Sequence, residues 1–227
     1  MNSTYFRFCD HIHHLFVGEQ LILLDARRDR YIFIAPPVST SLLQALTQQT
    51  PESALSETIA VALSRKVLRR CDHPVAIRQT SGHPVGIGLH EWQSSEEPLT
   101  IPPYQRVCVM GYFTVVTLQI RLFGLNRLLQ NISQFARNAT RTADVEVSGH
   151  IANKVRHCSR SLPFRTACLE NALVTAVLLA RHALPFQFRI GFQLDPFLAH
   201  AWLNVDGQVL LDRPDLNQAM HILVNLP

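Results

Sequence analysis

The segment Asp195–Asp212, DPFLAHAWLNVDGQVLLD, is the sequence feature that most constrains how this chain can fold. Apolar and polar residues alternate on both sides of Asp206-Gly207, and an Asp-Gly pair between alternating runs is the strongest short-range signal for a two-residue β-hairpin. Counted from the centre of that turn, His200 and Asp212 fall within one residue of direct opposition. We therefore expect both side chains on one face of the hairpin.

The sequence pattern of residues 1–85 predicts that the first part of the chain forms a small separate domain. Its sequence contains three short β-runs, at residues 15–17, 21–25 and 31–34. Two helices follow, the first capped by Ser39 or Thr40 and the second running from Ser56 to Arg70. This β-β-β-α-α order predicts a three-stranded, winged-helix-like unit, which a linker rich in Pro and Gly at residues 86–105 joins to the rest.

The second part, residues 106–227, predicts helices followed by antiparallel strands. The predicted helices cover residues 107–137, either unbroken or divided near Gly124, then 145–159 and 168–182. The predicted strands cover residues 186–193, 199–205 and 209–212. The fold class expected for the whole chain is α+β.

Composition excludes several classes of protein. In 227 residues, 47% are hydrophobic and 17% are charged, so intrinsic disorder is excluded. The net charge of +4 comes from scattered Arg residues, which are weak grounds for nucleic-acid binding. The most apolar run, Val107–Ile120, falls short of the roughly 18 residues that a spanning helix needs, so a buried or interfacial helix without a membrane span is expected.

The cysteines predict the redox environment. The chain has five of them, an odd number, with no C-x-x-C pair and no evident signal peptide. We therefore expect reduced thiols, a cytoplasmic location, and neither a disulfide framework nor a zinc site.

A cysteine at the start of a predicted helix carries the candidate chemistry. Cys168 lies in the first helical turn, where the partial positive charge favours the thiolate, which is the nucleophilic form. N–H groups there also point to where an oxyanion forms during attack on an amide carbonyl. With His200 and Asp212 the chain order is Cys…His…Asp, in which the carboxylate can orient the imidazole and the imidazole can meet the thiol. Asp195 is the nearby rival carboxylate, in a predicted loop.

The C-terminal motifs resemble a known family. A Cys-Leu pair opens a Leu-rich helix, a strand carries Ile190-Gly191-Phe192, and Pro-Phe, His-Ala-Trp and the Asp-Gly hairpin follow. Over about residues 145–227 this pattern resembles the papain/transglutaminase-like core of the lasso-peptide maturation B proteins. Glu170-Asn171 and Leu203-Asn204 depart from the family pattern beside these motifs. The segment LILLDARRDRYIFI resembles the PqqD-like recognition element, similar to the small protein of pyrroloquinoline quinone biosynthesis, that longer B proteins carry.

The resemblance implies a cysteine peptidase that removes the leader from a ribosomally made precursor, so that an asparagine-synthetase-like cyclase can close the macrolactam. It implies Cys168 as the nucleophile, His200 as the general base and then acid, and Asp212 as the orienting carboxylate. It further implies leader binding by β-augmentation along the third strand and against the second helix. The residues expected to bind the leader are Tyr31, Ile32, Phe33, Ile34, Ile59, Leu63 and Val67. No cofactor motif is evident, and any ATP dependence is expected to come through the cyclase.

Other interpretations stay open at the level of sequence. The same triad can pass its acyl group to an amine, as in a transglutaminase, and the N-terminal unit can act without catalysis, as a leader-binding scaffold or a DNA-binding winged helix. Trp202 shares a strand face with His200, so it either forms a wall of the active site or fills the core. For His11, His13 and His14, surface histidines are favoured over a metal cluster.

Overall fold

The computed structural model describes residues 3–51, 56–82, 84, 86–87, 99–162 and 167–227. The chain divides into two units, residues 1–83 and residues 84–227. Gly86 and Ile87, which the sequence assigned to the linker, belong to the second unit, where their N–H groups donate to Ala219 O at 3.1 Å and to Gln193 Oε1 at 2.6 Å. Most of the predicted linker, residues 88–98, lies outside the described residues. The α+β class is confirmed.

The N-terminal unit contains two sheets and two helices. Its elements are β1 (Ser3–Phe8), β2 (Ile12–Val17), β3 (Gln20–Asp25), β4 (Arg30–Ile34), α1 (Val38–Thr47), β5 (Thr50–Pro51), α2 (Glu57–Ser64), β6 (Leu68–Cys71) and β7 (Gln79–Thr80). One sheet has the strand order β4-β3-β2-β7, and the other has the order β5-β1-β6. The three predicted strands are therefore present as β2, β3 and β4, while β1 and its sheet were not predicted.

The second predicted helix is shorter than expected. The side chain of Ser56 caps α2 by accepting from Ile59 N, but the helix ends at Ser64. Lys66 then takes a positive φ of 57°, which ends a helix because the chain leaves the right-handed region. Leu68–Cys71 continues as β6, antiparallel to β1. The run of basic residues that had suggested a helix C-terminus thus lies mostly in a turn and a strand.

The C-terminal unit places helices before a four-stranded antiparallel sheet. Its elements are α3 (Pro103–Phe123), α4 (Leu125–Arg137), α5 (Val145–Ser159), α6 (Cys168–Arg181), β8 (Gln187–Gln193), β9 (Leu198–Val205), β10 (Gln208–Val209), α7 (Leu216–Ala219) and β11 (His221–Leu226). The strand order is β10-β9-β8-β11. Gly124, with a φ of 75°, separates α3 from α4, so the broken alternative is correct. The last strand was not predicted.

Helix α6 forms the centre of this unit. It packs against α3, α4, α5 and β9, and Leu173, Val174, Ala176 and Leu179 are each 0% exposed. A helix that is apolar on most of its circumference is buried on most of it. Packing on several sides therefore fixes where the N-terminus of α6 lies relative to β9.

Helix α3 extends beyond the apolar run noted in the sequence. It has 21 residues and, among the described helices, is long and apolar enough by length and composition to cross a membrane. Of its apolar window, 17% is buried. Several large side chains on it are exposed, namely Tyr104, Val107, Val115, Leu118, Leu122 and Phe123.

Candidate active site

Cys168 is the first residue of α6. The helix begins there because Ala167 has an extended backbone and because Glu170 Oε2 accepts from Ala167 N at 3.0 Å, which caps the chain entering the first turn. Glu170, one of the residues that departs from the family pattern, therefore has a local role in starting the helix. The thiol lies at the helix terminus that carries partial positive charge.

His200 and Asp212 meet directly. His200 is on β9 and is buried, and its Nε2 lies 2.7 Å from Asp212 Oδ2. Because a carboxylate only accepts, Nε2–H is the donor, and Nδ1 is left for the opposite side of the ring. Asp212 Oδ1 accepts from the backbone N–H of Arg213 at 2.9 Å. Both carboxylate oxygens are therefore held, and the imidazole has a fixed tautomer and direction.

Asp212 does not lie on a strand, contrary to the prediction for residues 209–212. The turn itself is as expected, with positive φ at Asp206 and Gly207. Strand β10 ends at Val209, although Leu210 N still donates to Leu203 O at 2.9 Å. Leu211 then takes a positive φ of 50°, which bends the chain away from the ladder. Asp212 therefore reaches His200 from a bend after the hairpin.

Cys168 completes the cluster. Its thiol is hydrogen-bonded to His200 and to the backbone at Ala201 and Leu169. Burial raises the pKa of this thiol, but the hydrogen bond and charge of His200, together with the two backbone hydrogen bonds, outweigh that effect, so the net pKa lies below the ordinary value of 9.0. For His200, burial lowers the pKa, while hydrogen bonds to Asp212 and Cys168 raise it to about 9. Both shifts favour the thiolate of Cys168 and the imidazolium of His200.

A small cavity of about 100 Å³ opens beside these groups. Cys168, His200, Trp202 and Asp212 line it, together with Asn171, which follows Cys168 by one helical turn. The indole of Trp202 stacks beside the imidazole, with ring centroids 6.1 Å apart and an interplanar angle of 14°. Trp202 therefore lines the cavity and is also buried. Asn171 was not singled out as a site residue, although its spacing of three from Cys168 places it on the same helix face.

A larger groove lies in the N-terminal unit, with a volume of about 890 Å³. Strand β4, at the edge of its sheet, lines it together with α1 and α2. Of the predicted leader-binding residues, Tyr31, Ile32, Ile34 and Val67 line this groove. Lining residues that were not predicted include Val38, Leu42, Val61, Ala62 and Arg65.

The other predicted leader-binding residues do not line the groove. Ile59 is 4% exposed and belongs to the core, and Leu63 packs against that core. Phe33 is 44% exposed and is not among the groove residues. Ile59 and Leu63 lie on the face of α2 that packs on the core, whereas Val61 and Arg65 line the groove. Contact of Ile59 and Leu63 with a leader stays a prediction.

The N-terminal histidines are not surface residues. His11 is 5% exposed, and the Nε2 atoms of His13 and His14 are buried without a hydrogen-bond partner. Burial, reinforced by the charge of Arg78, lowers the pKa of His13 and of His14 to about 4. Within the described ranges, no group of three His, Cys, Asp or Glu residues could hold a metal ion. His11 is therefore buried, and His13 and His14 are half-buried and neutral at neutral pH.

Comparison with known proteins gives a family for the C-terminal unit. No curated protein sequence and no solved structure matches this chain. Residues 113–225 match the family model described as transglutaminase-like superfamily. That range runs from α3 to β11 and includes Cys168, His200 and Asp212. The C-terminal part of this chain is therefore a transglutaminase-like domain, of the kind found in cysteine proteases and acyltransferases.

Proposed function

We propose that this protein is a cysteine peptidase that binds the leader of a ribosomally synthesised lasso-peptide precursor and cleaves it off before a partner enzyme forms the macrolactam. The observation that carries the proposal is the contact of Cys168, His200 and Asp212 in a transglutaminase-like domain. The position of β4 as the edge strand of its sheet, beside an apolar groove, supports peptide binding by the other unit.

The proposed reaction uses the thiolate and imidazolium pair. The Cys168 thiolate attacks the carbonyl carbon of the last leader residue, and first-turn N–H groups of α6 stabilise the oxyanion. His200 gives its Nδ1 proton to the amine of the core peptide, so the C–N bond breaks and a thioester remains. His200 then takes a proton from water, which attacks the thioester and releases the leader as a free acid. Asp212 keeps the imidazole in line throughout.

The proposed leader site is the groove beside β4. An extended leader can add a strand beside the edge strand β4, so that backbone hydrogen bonds provide affinity and alternate side chains enter the groove. Apolar residues that could contact such side chains are exposed in the groove: the exposed fraction is 38% for Ile32, 41% for Val38 and 42% for Val61. Arg30 and Arg65 at the same groove favour a leader that carries acidic residues near its apolar anchors.

The remaining parts of the proposal concern the setting of the reaction. All five cysteines, each in the described part of the chain, are free thiols, which fits a reducing cytoplasm. The peptidase would act with an asparagine-synthetase-like cyclase, and ATP would enter through that partner.

The proposal is tested by mass spectrometry on a cognate precursor, with and without the cyclase and ATP. Cys168→Ala should release no leader. Cys108→Ala is the matched control, because Cys108 is an exposed free thiol on α3, and it should cut like the wild type. Leader release by Cys168→Ala at the wild-type rate would refute the proposed nucleophile. Binding of the leader by a wild type that never cuts it would favour the scaffold function instead.

Acyl transfer is the second candidate function, because the matched superfamily includes acyltransferases. The same thioester can be resolved by an amine in place of water. Incubation of the enzyme and precursor with glycine methyl ester separates the two. A leader that ends in a free carboxylate supports the peptidase, and a leader that carries the amine as an amide supports the transferase.

A further inference from the structure

An asparagine on the short helix α7 collects three hydrogen bonds at one atom. Asn217 Oδ1 accepts from Trp202 Nε1 at 3.0 Å, from Asn204 Nδ2 at 3.2 Å and from Arg189 Nη1 at 2.5 Å. Arg189 is fixed in turn by a bond from its Nε to Asn225 Oδ1 at 3.0 Å. One amide oxygen therefore ties β8 and β9 to α7, the helix that follows Asp212 in the chain.

The indole that Asn217 binds has little room to move. Trp202 is 2% exposed, and its ring stacks beside His200. On another side it lies against Gly191, where a Cβ atom would be 2.7 Å from Trp202 Cη2. Glycine is therefore required at that position to admit the ring, and the N–H bond to Asn217 fixes the rotation of the indole about its side-chain axis.

We propose that Asn217 is a positioning residue for His200 and acts through the indole of Trp202. This inference rests on the proposed function in so far as His200 is the acid and base of the reaction. The reaction needs Nδ1 to face Cys168 while Nε2 stays on Asp212. An indole fixed along the side of the imidazole prevents the imidazole from tilting out of that line. The indole also keeps water from that part of the cavity wall, and the hydrogen bonds of His200 are stronger in such water-poor surroundings.

Two substitutions at Asn217 separate positioning from general packing. Asn217→Leu keeps the approximate volume but removes the acceptor. Asn217→Asp keeps an oxygen in the same place, and its negative charge suits three donors. Asn225→Ala is the matched control, because Asn225 also accepts from Arg189 but has no bond to Trp202.

The position of the indole is measured directly by NMR. The chain has two Trp residues, so a ¹H–¹⁵N spectrum contains two indole N–H signals at most. The Trp202 signal should be protected from solvent exchange in the wild type, in Asn217→Asp and in Asn225→Ala. It should exchange rapidly in Asn217→Leu.

The effect on the reactive pair is measured with p-nitrophenyl acetate, which contains no peptide. The thiolate attacks the ester carbonyl, the C–O bond breaks and p-nitrophenolate leaves, and the signal of Cys168→Ala is subtracted. Because misplacement of a catalytic group by a fraction of an ångström slows the chemistry, Asn217→Leu should slow acylation about tenfold. Asn217→Asp should restore the rate, and Asn225→Ala should not change it.

The proposal is overturned if Asn217→Leu folds and acylates at the wild-type rate, or if Asn217→Asp is as slow as Asn217→Leu. Should Asn217→Leu fail to fold, Trp202→Phe makes the same test from the other end of the bond, because it keeps a ring but lacks the N–H donor. The result is independent of leader cleavage, so failure of the proposed function on a precursor would leave it standing.

Discussion

The groove beside β4 and the cavity beside Cys168 are built in opposite ways. The groove of the N-terminal unit is large, lies beside an edge strand and exposes apolar side chains. The cavity of the C-terminal unit is about 100 Å³, and titratable groups that line it are held by hydrogen bonds. An open apolar groove suits binding of an extended peptide, whereas a small fixed cluster suits chemistry at one bond.

The contrast implies that recognition and chemistry can be changed separately. Substitutions in the groove should alter leader affinity and leave turnover at saturation unchanged. Substitutions in the cluster should alter turnover and leave leader affinity unchanged.

The largest effect is expected at the orienting carboxylate. Asp212→Ala should lower kcat for leader release by about a thousandfold, because the imidazole loses its tautomer and direction. The dissociation constant of the leader should not change. Asp195→Ala is the control, because Asp195 is an exposed carboxylate beyond β8. Equal loss in both variants, measured by steady-state kinetics, would remove Asp212 from the mechanism.

The next effect concerns the groove. Val61→Glu places a charge among apolar residues, which should weaken leader binding by about 2 kcal/mol, or roughly thirtyfold. Ala60→Glu adds the same charge on the same helix, at an exposed residue outside the groove, and should bind normally. Fluorescence anisotropy of a labelled leader gives both constants. If kcat at saturating precursor fell in Val61→Glu, recognition and chemistry would not be separable.

A smaller effect concerns the rigidity of the catalytic unit. Gly191→Ala should destabilise the protein by about 2 kcal/mol, because the new methyl group overlaps the ring of Trp202. Gly149→Ala, on α5 with nothing within 4 Å of the new methyl group, should instead stabilise it by about 0.5 kcal/mol. Urea unfolding measures both, and equal effects would mean that Trp202 yields easily.

The smallest effect concerns acid stability of the N-terminal unit. The pKa of His14 is about 4 in the folded protein, below the ordinary 6.5, so the unfolded chain binds the additional proton between these values. Stability should therefore fall as pH drops from about 6.5 to about 4, by on the order of 1 kcal/mol for this histidine. His14→Phe should reduce that loss in urea unfolding at pH 5 relative to pH 7.5. An unchanged pH dependence would show that His14 is not buried neutral.

Local signals predicted most of the catalytic cluster. The Asp-Gly turn predicted the hairpin, and apolar periodicity predicted α6 from Cys168 onward, because both depend on neighbouring residues. The prediction that Asp212 lies on a strand was wrong, since the positive φ of Leu211 is set by tertiary contacts rather than by the preference of leucine.

The recognition groove was predicted less well. The residues of β6 were predicted to be part of a helix. They form a strand because Leu68 and its neighbours pair with β1, which is distant in sequence and therefore gives no local signal. Both faces of α2 carry apolar residues and only packing decides which is buried, so the sequence alone did not show that Val61 and Arg65 line the groove. Asn217 had no sequence signal, since its three donors come from two different strands.

The most direct test of the catalytic account is the pH dependence of Cys168 alkylation by iodoacetamide, followed in the tryptic peptide that contains this residue. Fast alkylation is expected below pH 9.0, because the hydrogen bond and charge of His200 lower the pKa of the thiol and the imidazolium keeps its proton up to about pH 9. In His200→Ala the rate should be low at neutral pH and rise only as the thiol itself ionises. A wild-type rate that rises through pH 9.0 like that of free cysteine would contradict the account.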